Sequence, residues 1–382
     1  MVNSVISFLS EIYYPALIIA ALYFFLLSLA NHYEMWRFTL APEIFDGPKV
    51  SVLIPARNEE ETIEECLNSL RNQLYKNYEI LVIDDNSTDA TPAILKRIAA
   101  ADDRIQVFTG APLPEDWFGK PFALHQLSQH AKGEILLFTD ADTVHNPTSI
   151  AWAVTNIVKL EADMVSGYVG QVFLSFGEIV TVPLMFSLTG FIIPLFINRF
   201  TKLSFFSSAI GQYIAIRHTV FKAIGGCEAF KKKTSEDIYM ARMVKQRGYE
   251  TRFLNLCEYV KCRMYKGYQA GVQGIGKNIF DFLGKNSFLL FIIALVVFFF
   301  LFFPFPQLFF SISSGSPWTQ QIILVNILYT LTWIFMFLGQ RLNWWYGFLW
   351  PLMFLNLLYM ALWSWFRTIS GRGFIWKGRV VS

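Results

Sequence analysis

Apolar positions follow two regimes along the chain. Four charge-free runs, 12–31, 287–306, 316–340 and 342–366, are apolar on every side. Each has about the 20 residues an α-helix needs to cross a hydrocarbon core. Between the first and second runs, short apolar stretches alternate with polar loops and helical segments. Val50–Ile54 ends at Pro55 and leads into an acidic helix start. "YEILVIDD" leads through a polar loop to a helix capped by Ser87 or Thr88, and "GEILLFTDADT" leads through Asn146-Pro147-Thr148 to a helix running to Leu160. Strand, loop and helix repeated at this spacing predict an α/β domain with a mainly parallel sheet. Near-continuous apolar strands imply burial on both faces. Ligands of such sheets bind beyond the carboxyl ends of the strands, so loops 56–59, 84–89 and 140–143 are expected on one edge.

The pattern divides the chain into an N-terminal transmembrane anchor (1–37), a globular domain (38–285), C-terminal transmembrane helices (286–369) and a basic tail (370–382). The first apolar run lacks the basic flank of a cleaved leader, because no Lys or Arg precedes Arg37 and Glu11 stands in its place. It therefore reads as a retained anchor. Arg37 and Lys49 follow it, which places the globular part in the cytoplasm. The run 179–198 is also uncharged, but Pro183 and Pro194 interrupt it, and a crossing would separate the Asp142 loop from the later polar segment. It reads as an element lying on the membrane surface. Three further crossings would put the tail outside, whereas Arg367, Arg372, Lys377 and Arg379 argue for the cytoplasm. A bend at Pro304–Pro306 or Pro351 would reconcile the two.

Composition agrees: 54% of residues are hydrophobic, 16% are charged, and 38 are Phe. The net charge of +3 is too small to indicate nucleic acid and suits a basic skirt beside anionic lipid. Cys66, Cys227, Cys257 and Cys262 lack zinc-like spacing and are expected as free thiols.

Asp140 and Asp142 sit at i and i+2 beyond a strand end. Such a pair can hold Mg²⁺ or Mn²⁺ together with substrate phosphates, or simply form a turn. Asp84-Asp85-Asn86 can bind a base or ribose, or shape an Asx turn. Arg57-Asn58-Glu59 can likewise be only a helix start. Glu236-Asp237 opens an amphipathic helix, where acids favour the macrodipole by about 0.3–1 kcal/mol or supply a general base. Each motif is ambiguous alone.

Their combination is not. "VSVLIPARNEE", "ILVIDDNSTDAT", "GKPFALHQL", "LLFTDADT", "GQYIAIRHTVFKAIGG" and "SEDIYMA", in this order over about 49–245, resemble the family 2 glycosyltransferases. The resemblance implies a GT-A fold that binds a nucleotide sugar. It places Ala56, Arg57 and Glu59 at the uridine, Asp85 at its base edge and Asp84 in support. Lys120 would lie near the diphosphate, Asp140 at the donor sugar and Asp142 on the metal, Mg²⁺ or Mn²⁺. Asp237 would be the base with Glu236 its neighbour, while Gly211 and Arg217 match the acceptor-side segment. The family usually has Asn where this chain has His125. Its processive synthases carry QxxRW after the ED segment; here "CRMYKGYQAGVQGIGKN" follows, with Arg263 and Tyr265 in place of the Arg-Trp pair.

The flanking helices and the ending "GRGFIWKGR" resemble the membrane-anchored branch that glycosylates lipids such as ceramide, hopanoids and carotenoids. The implied protein sits in a bacterial inner (plasma) membrane and moves a hexose from a UDP-sugar to a lipid acceptor in one inverting step. A processive synthase and a catalytically degenerate membrane scaffold are the alternatives. The first lacks its signature, and retained Asp142 and Asp237 oppose the second.

Overall fold

The computed structural model describes residues 2–233, 235–376 and 379–381; Lys377 of the basic tail lies outside them. The chain divides into two compact units, each built from separated segments. Glu34–Val172 and Leu195–Met264 form one, and Met1–Tyr33, Phe173–Pro194 and Tyr265–Ser382 form the other. The boundaries thus fall elsewhere than at 38 and 285. Residues 265–282 go with the helical unit because Gly271 closes on Thr181 and Gly276 on Trp363, leaving no room there for a Cβ.

Helix α1 (Val2–Phe38) gives its last turn to the α/β unit. There β1 (Val50–Ala56), β2 (Tyr78–Asp84), β3 (Ile105–Thr109), β4 (Ile135–Thr139), β5 (Thr143–His145), β6 (Met164–Gln171), β7 (Tyr213–Arg217) and β8 (Thr251–Cys262) form one sheet in the order β3-β2-β1-β4-β7-β6-β8-β5. Its ladders are parallel except where β7 meets β4 and β6 and where β5 meets β8. The fold class is therefore as the strand pattern predicts.

Alternate residues of β1 point into two cores. Val52 and Ile54 meet Ile63, Leu67 and Leu70 of α2 (Ile63–Arg71) and Trp152 of α5 (Ser149–Lys159) on one face. Leu53 meets Leu124 and Leu127 of α4 (Gly119–His130) and Met240 and Val244 of α8 (Glu236–Gln246) on the other. Each such aliphatic side chain, fully buried, contributes about 1.5–3 kcal/mol. The helix after β2 is α3 (Thr91–Ala99), which starts later than a Ser87 or Thr88 cap requires. Those residues serve the neighbouring loop instead: Asn58 N–H donates to Ser87 Oγ at 3.0 Å, and Thr88 N–H to Asn58 Oδ1 at 2.8 Å.

In the other unit, the stretch after Phe173 is broken into α6 (Phe176–Thr181), a 3-10 turn (Val182–Phe186) and a π turn (Leu188–Ile192). Among the described residues, three helices are long and apolar enough to cross a membrane: Phe8–Phe38, Thr319–Gly339 and Trp344–Ile369. A fourth is counted if Tyr268–Phe282 and Ser287–Phe302, bent by 116°, make one.

Candidate active site

The parallel register brings the first two loops together. Ala56 lies opposite Asp84, and Asp85 N–H donates to Ala56 O at 2.8 Å. Arg57 spans the gap, its guanidinium donating to the carbonyls of Asp85 and, at 3.1 Å, Asn86. Asn86 carries φ +57°, which an Asn tolerates better than most residues. Asp84 Oδ1 accepts from Ser87 N–H at 3.2 Å, closing the turn. Glu59 N–H donates to Thr91 Oγ1 at 2.8 Å, tying the first loop to α3. Asp84 and Asp85 are both buried.

The second half of the site is ionic. Lys120, at the start of α4, places Nζ 2.7 Å from Asp140 Oδ1 and 3.0 Å from Glu236 Oε1. Burial opposes the lysine's charge, but the two carboxylates outweigh it and hold the ammonium well above its ordinary value. Lys120 therefore ties the end of β4 to the start of α8.

Asp237 is fixed by backbone donors. Gly211 N–H reaches Oδ2 at 2.9 Å, and Asp237's own neighbour Ile238 donates to Oδ1 at 2.8 Å. Burial, then the Glu236 carboxylate, raise Asp237 to about 7 against the pull of Lys120 and these N–H groups. A carboxyl poised there suits general-base work near neutral pH. Gly211 permits the approach: a Cβ there would stand 3.0 Å from Lys120 Nζ and 3.5 Å from Asp237 Oδ2.

Asp142 is the third residue after β4, and the DxD turn carries Asp140 toward Lys120 and Asp142 toward β8. There Asp142 meets Cys262, whose thiol burial and the neighbouring carboxylates of Asp142 and Asp140 push well up. Cys66, packed beneath with its Sγ 3.7 Å from Asp140 O, is raised to about 12, chiefly by burial. Both thiols thus stay protonated beside the carboxylates. No group of three His, Cys, Asp or Glu side chains placed to hold a metal occurs among the described residues. The carboxylates of Asp140 and Asp142 are hard oxygen donors, which fits a Mg²⁺ or Mn²⁺ that takes the rest of its shell from phosphates and water.

Behind the site runs a polar network that the motifs did not single out. Thr139 Oγ1 donates to Gln212 O at 2.9 Å, Gln212 Nε2 to Cys262 Sγ at 3.0 Å, and Gln171 Nε2 to Gln212 Oε1 at 3.1 Å. His145 joins it through Thr139 and Thr143, at 3.2 and 3.0 Å, and burial lowers it to about 3, so it stays neutral. The one sequence signal for this network is the adjacency of Gln212 to Gly211.

One expected position, Arg217, lies elsewhere. Arg217 pairs in register with Ile135, the first residue of β4, because β7 runs antiparallel to it. The arginine is therefore at the opposite end of the sheet from Asp140. Its guanidinium donates to Ala162 O at 3.2 Å and Ile157 O at 3.4 Å, which orders the loop after α5. Tyr265 belongs to the helical unit, where its ring covers Gly274. His125 stacks obliquely on Trp117, centroids 4.9 Å apart, as a packed helix residue. Arg263 follows directly on β8, one residue past the Cys262–Thr143 pair.

Residues 51–225 match the family described as Glycosyl transferase family 2. A probable glycosyltransferase, YdaM, of Bacillus subtilis is 29% identical over 210 residues, covering 54% of this chain and 49% of its own length. A beta-monoglucosyldiacylglycerol synthase of Nostoc sp. is 41% identical over 97 residues, 25% of this chain and 20% of that protein. The matched stretch spans half or less of these curated relatives. Among solved structures, the mannosyltransferase PcManGT from Pyrobaculum calidifontis in complex with GDP-Man and Mn2+ aligns with a TM-score of 0.49 at 21% identity, covering 72% of this chain and 76% of that one.

Proposed function

We propose that the chain is an inverting glycosyltransferase that moves a hexose, glucose-type favoured, from a UDP-sugar to a hydroxyl or phosphate of a membrane lipid. The observation that carries this reading is Asp237, clamped by two backbone N–H groups beside the Lys120–Asp140–Glu236 cluster. It sits at the sheet edge where the loops of Ala56, Arg57, Glu59, Asp84 and Asp85 converge. In this reading those loops hold the nucleotide, Lys120 offsets diphosphate charge, and Asp140 orients the donor.

Asp237 accepts the proton of the acceptor hydroxyl. The acceptor oxygen bonds to the anomeric carbon as that carbon's bond to the diphosphate oxygen breaks, and the electron pair leaves with UDP. One displacement from the opposite face inverts the configuration, and no second carboxylate nucleophile is required. Asp142, with Asp140 beside it, would hold Mg²⁺ or Mn²⁺, which neutralises charge on the leaving diphosphate.

A lipid acceptor is supported by the apolar helices and by the diacylglycerol product in the name of the Nostoc relative. The helical unit also bears on the side of the membrane. The helix α12 (Thr319–Gly339) runs parallel to α1, with Ser28 Oγ donating to Thr332 O at 3.3 Å and Tyr14 stacked on Trp318 at 4.6 Å. It runs antiparallel to the kinked helix 287–314, with Asn326 Nδ2 donating to Pro304 O at 2.9 Å and Thr319 Oγ1 to Ser311 O at 3.1 Å. The turn Trp344–Leu349 then doubles back along α12, so that Trp350 Nε1 meets Thr330 Oγ1 at 3.0 Å, halfway up that helix. From there Trp350–Ile369 returns to the level of Ser287, where Trp365 Nε1 donates to Ser287 Oγ at 3.0 Å. In this reading the segment from Trp344 to Ile369 is a re-entrant hairpin, and the last helix is its second half. Arg367 and Arg372 would then lie on the same side as Arg37, and the cytoplasmic side is proposed for all three.

Incubating membranes that contain the full chain with several UDP-hexoses, and reading new glycolipids by mass spectrometry, tests the proposal. Asp237→Asn should abolish the product while UDP-sugar binding survives; normal turnover by that variant would remove Asp237 as the base.

A further inference from the structure

The α/β unit carries an apolar projection that its own core does not use. In segment 199–206, Phe200 is 76%, Leu203 62% and Phe205 59% exposed. They are separated by the polar and basic residues of "RFTKLSFF". The cations flank the apolar tips: Arg199 lies over the Phe200 ring at 5.0 Å and Arg242 over Phe205 at 5.8 Å, while Lys202 is exposed. Isolated exposed apolar residues are ordinary, but three on one eight-residue projection with three cations form a patch.

The segment is also pinned to a particular level of the molecule. Arg199 Nε pairs with Glu34 Oε1 at 2.6 Å, and its guanidinium stacks on the Phe38 ring at 3.8 Å. Glu34 and Phe38 form the last turn of α1, beside exposed Trp36 and Arg37. Trp followed by Arg at the end of a long apolar helix is the pattern of a membrane–water boundary. At its other end the segment is fastened to α8, where Ser207 Oγ donates to Ala241 O at 3.2 Å and Gln246 Nε2 to Ser204 Oγ at 3.1 Å.

We infer that residues 199–206 are seated in the surface of a lipid bilayer, with Phe200, Leu203 and Phe205 in the interfacial layer and Lys202 and Arg242 toward anionic headgroups, while Arg199 ties the segment to Glu34. Amphipathic elements of this kind sit about 5–10 Å into the headgroup–acyl boundary, and cations beside them are drawn to an anionic surface. From Phe206 the chain reaches Gly211 in five residues, so this seat is coupled along the backbone to the clamp on Asp237. The inference rests on reading α1 as a span.

All four native cysteines are buried, so an environment-sensitive dye can be placed selectively on an introduced one. The full chain, reconstituted in nanodiscs with anionic lipid and shallow acyl-chain spin labels, would carry the dye at Leu203→Cys, Phe205→Cys, Ile19→Cys in mid-α1, or exposed Lys96→Cys on α3. The expected result is loss of most emission at 19, 203 and 205 and none at 96. Quenching at 19 without quenching at 203 and 205 overturns the inference and leaves the α1 span standing. No quenching at 19 removes the span and the inference with it. Quenching at 96 as strong as at 203 also overturns it, since contact would then not depend on the patch.

Discussion

Replacing Asp237 by Asn should stabilise the protein at alkaline pH and not at acid pH. The carboxyl is raised from its ordinary 3.8 to about 7 by burial and by Glu236. In the folded state it keeps its proton up to about 7, whereas the unfolded chain releases it near 3.8. Wild-type stability therefore falls as pH rises through that window, and the penalty is complete above it. At about 1.4 kcal/mol for each tenfold change in proton affinity, the full penalty is ~4 kcal/mol. Asn removes it but keeps a single acceptor oxygen for the N–H groups of Gly211 and Ile238, which returns about 1–2 kcal/mol. The net gain at pH 8 is ~2–3 kcal/mol, and at pH 5 the variant is equal to wild type or weaker by ~1 kcal/mol. Thermal unfolding in detergent, followed by intrinsic Trp emission, should show Tm higher by several degrees at pH 8, at ~2–4 °C per kcal/mol for a domain of this size. A shift of the same size and sign at both pH values would refute the reasoning, because it would owe nothing to the proton. The same proton sets the rate: transfer should rise with pH through about 7 and flatten above, and a flat profile would separate Asp237 from the chemistry.

Gly211→Ala places a methyl 3.0 Å from Lys120 Nζ; a flexible lysine end yields cheaply, so stability should change by less than ~1 kcal/mol while transfer drops about tenfold or more. Arg217→Met removes the bonds to Ala162 O and Ile157 O and should cost about 1–2 kcal/mol with kcat/KM unchanged; a selective rise in acceptor KM would place Arg217 on the acceptor side. Chelation with EDTA should abolish transfer and added Mn²⁺ or Mg²⁺ restore it, whereas full activity in excess EDTA would remove Asp142 from the metal.

The strands and loops were legible because their signals are local. Val50–Ile54, Ile80–Asp84 and Ile135–Thr139 are apolar throughout, and the polar residues that follow each one lie at the same sheet edge. Lys120 was found by its motif, but its double role was not, since Asp140 and Glu236 are far from each other in sequence and meet only through β7 and α8. The position of Arg217 was not legible because the motif carries no strand direction: β7 runs antiparallel to β4, which sends its last residue to the other end of that strand from Asp140. Gln212 and Cys262 stayed hidden because buried hydrogen-bond partners leave no periodic trace. The helical unit was legible in its apolar runs, yet the doubling back at Trp344–Leu349 is set by contacts with α12 that hydropathy does not register.

The sheet's central strand order has a consequence for biosynthesis. β1 to β4 are complete by Thr139, but β6 joins them only through β7, which is made after the excursion Phe173–Pro194. A ribosome thus delivers a half-sheet whose β4 edge stays open until some seventy further residues have emerged. Closure at β7 then brings Gly211 to Asp237 only after α8 is also made. The nascent chain must hold an apolar edge unpaired through that interval, so variants that delay placement of 173–194 should be rescued by chaperones that mask strand edges more than by added substrate.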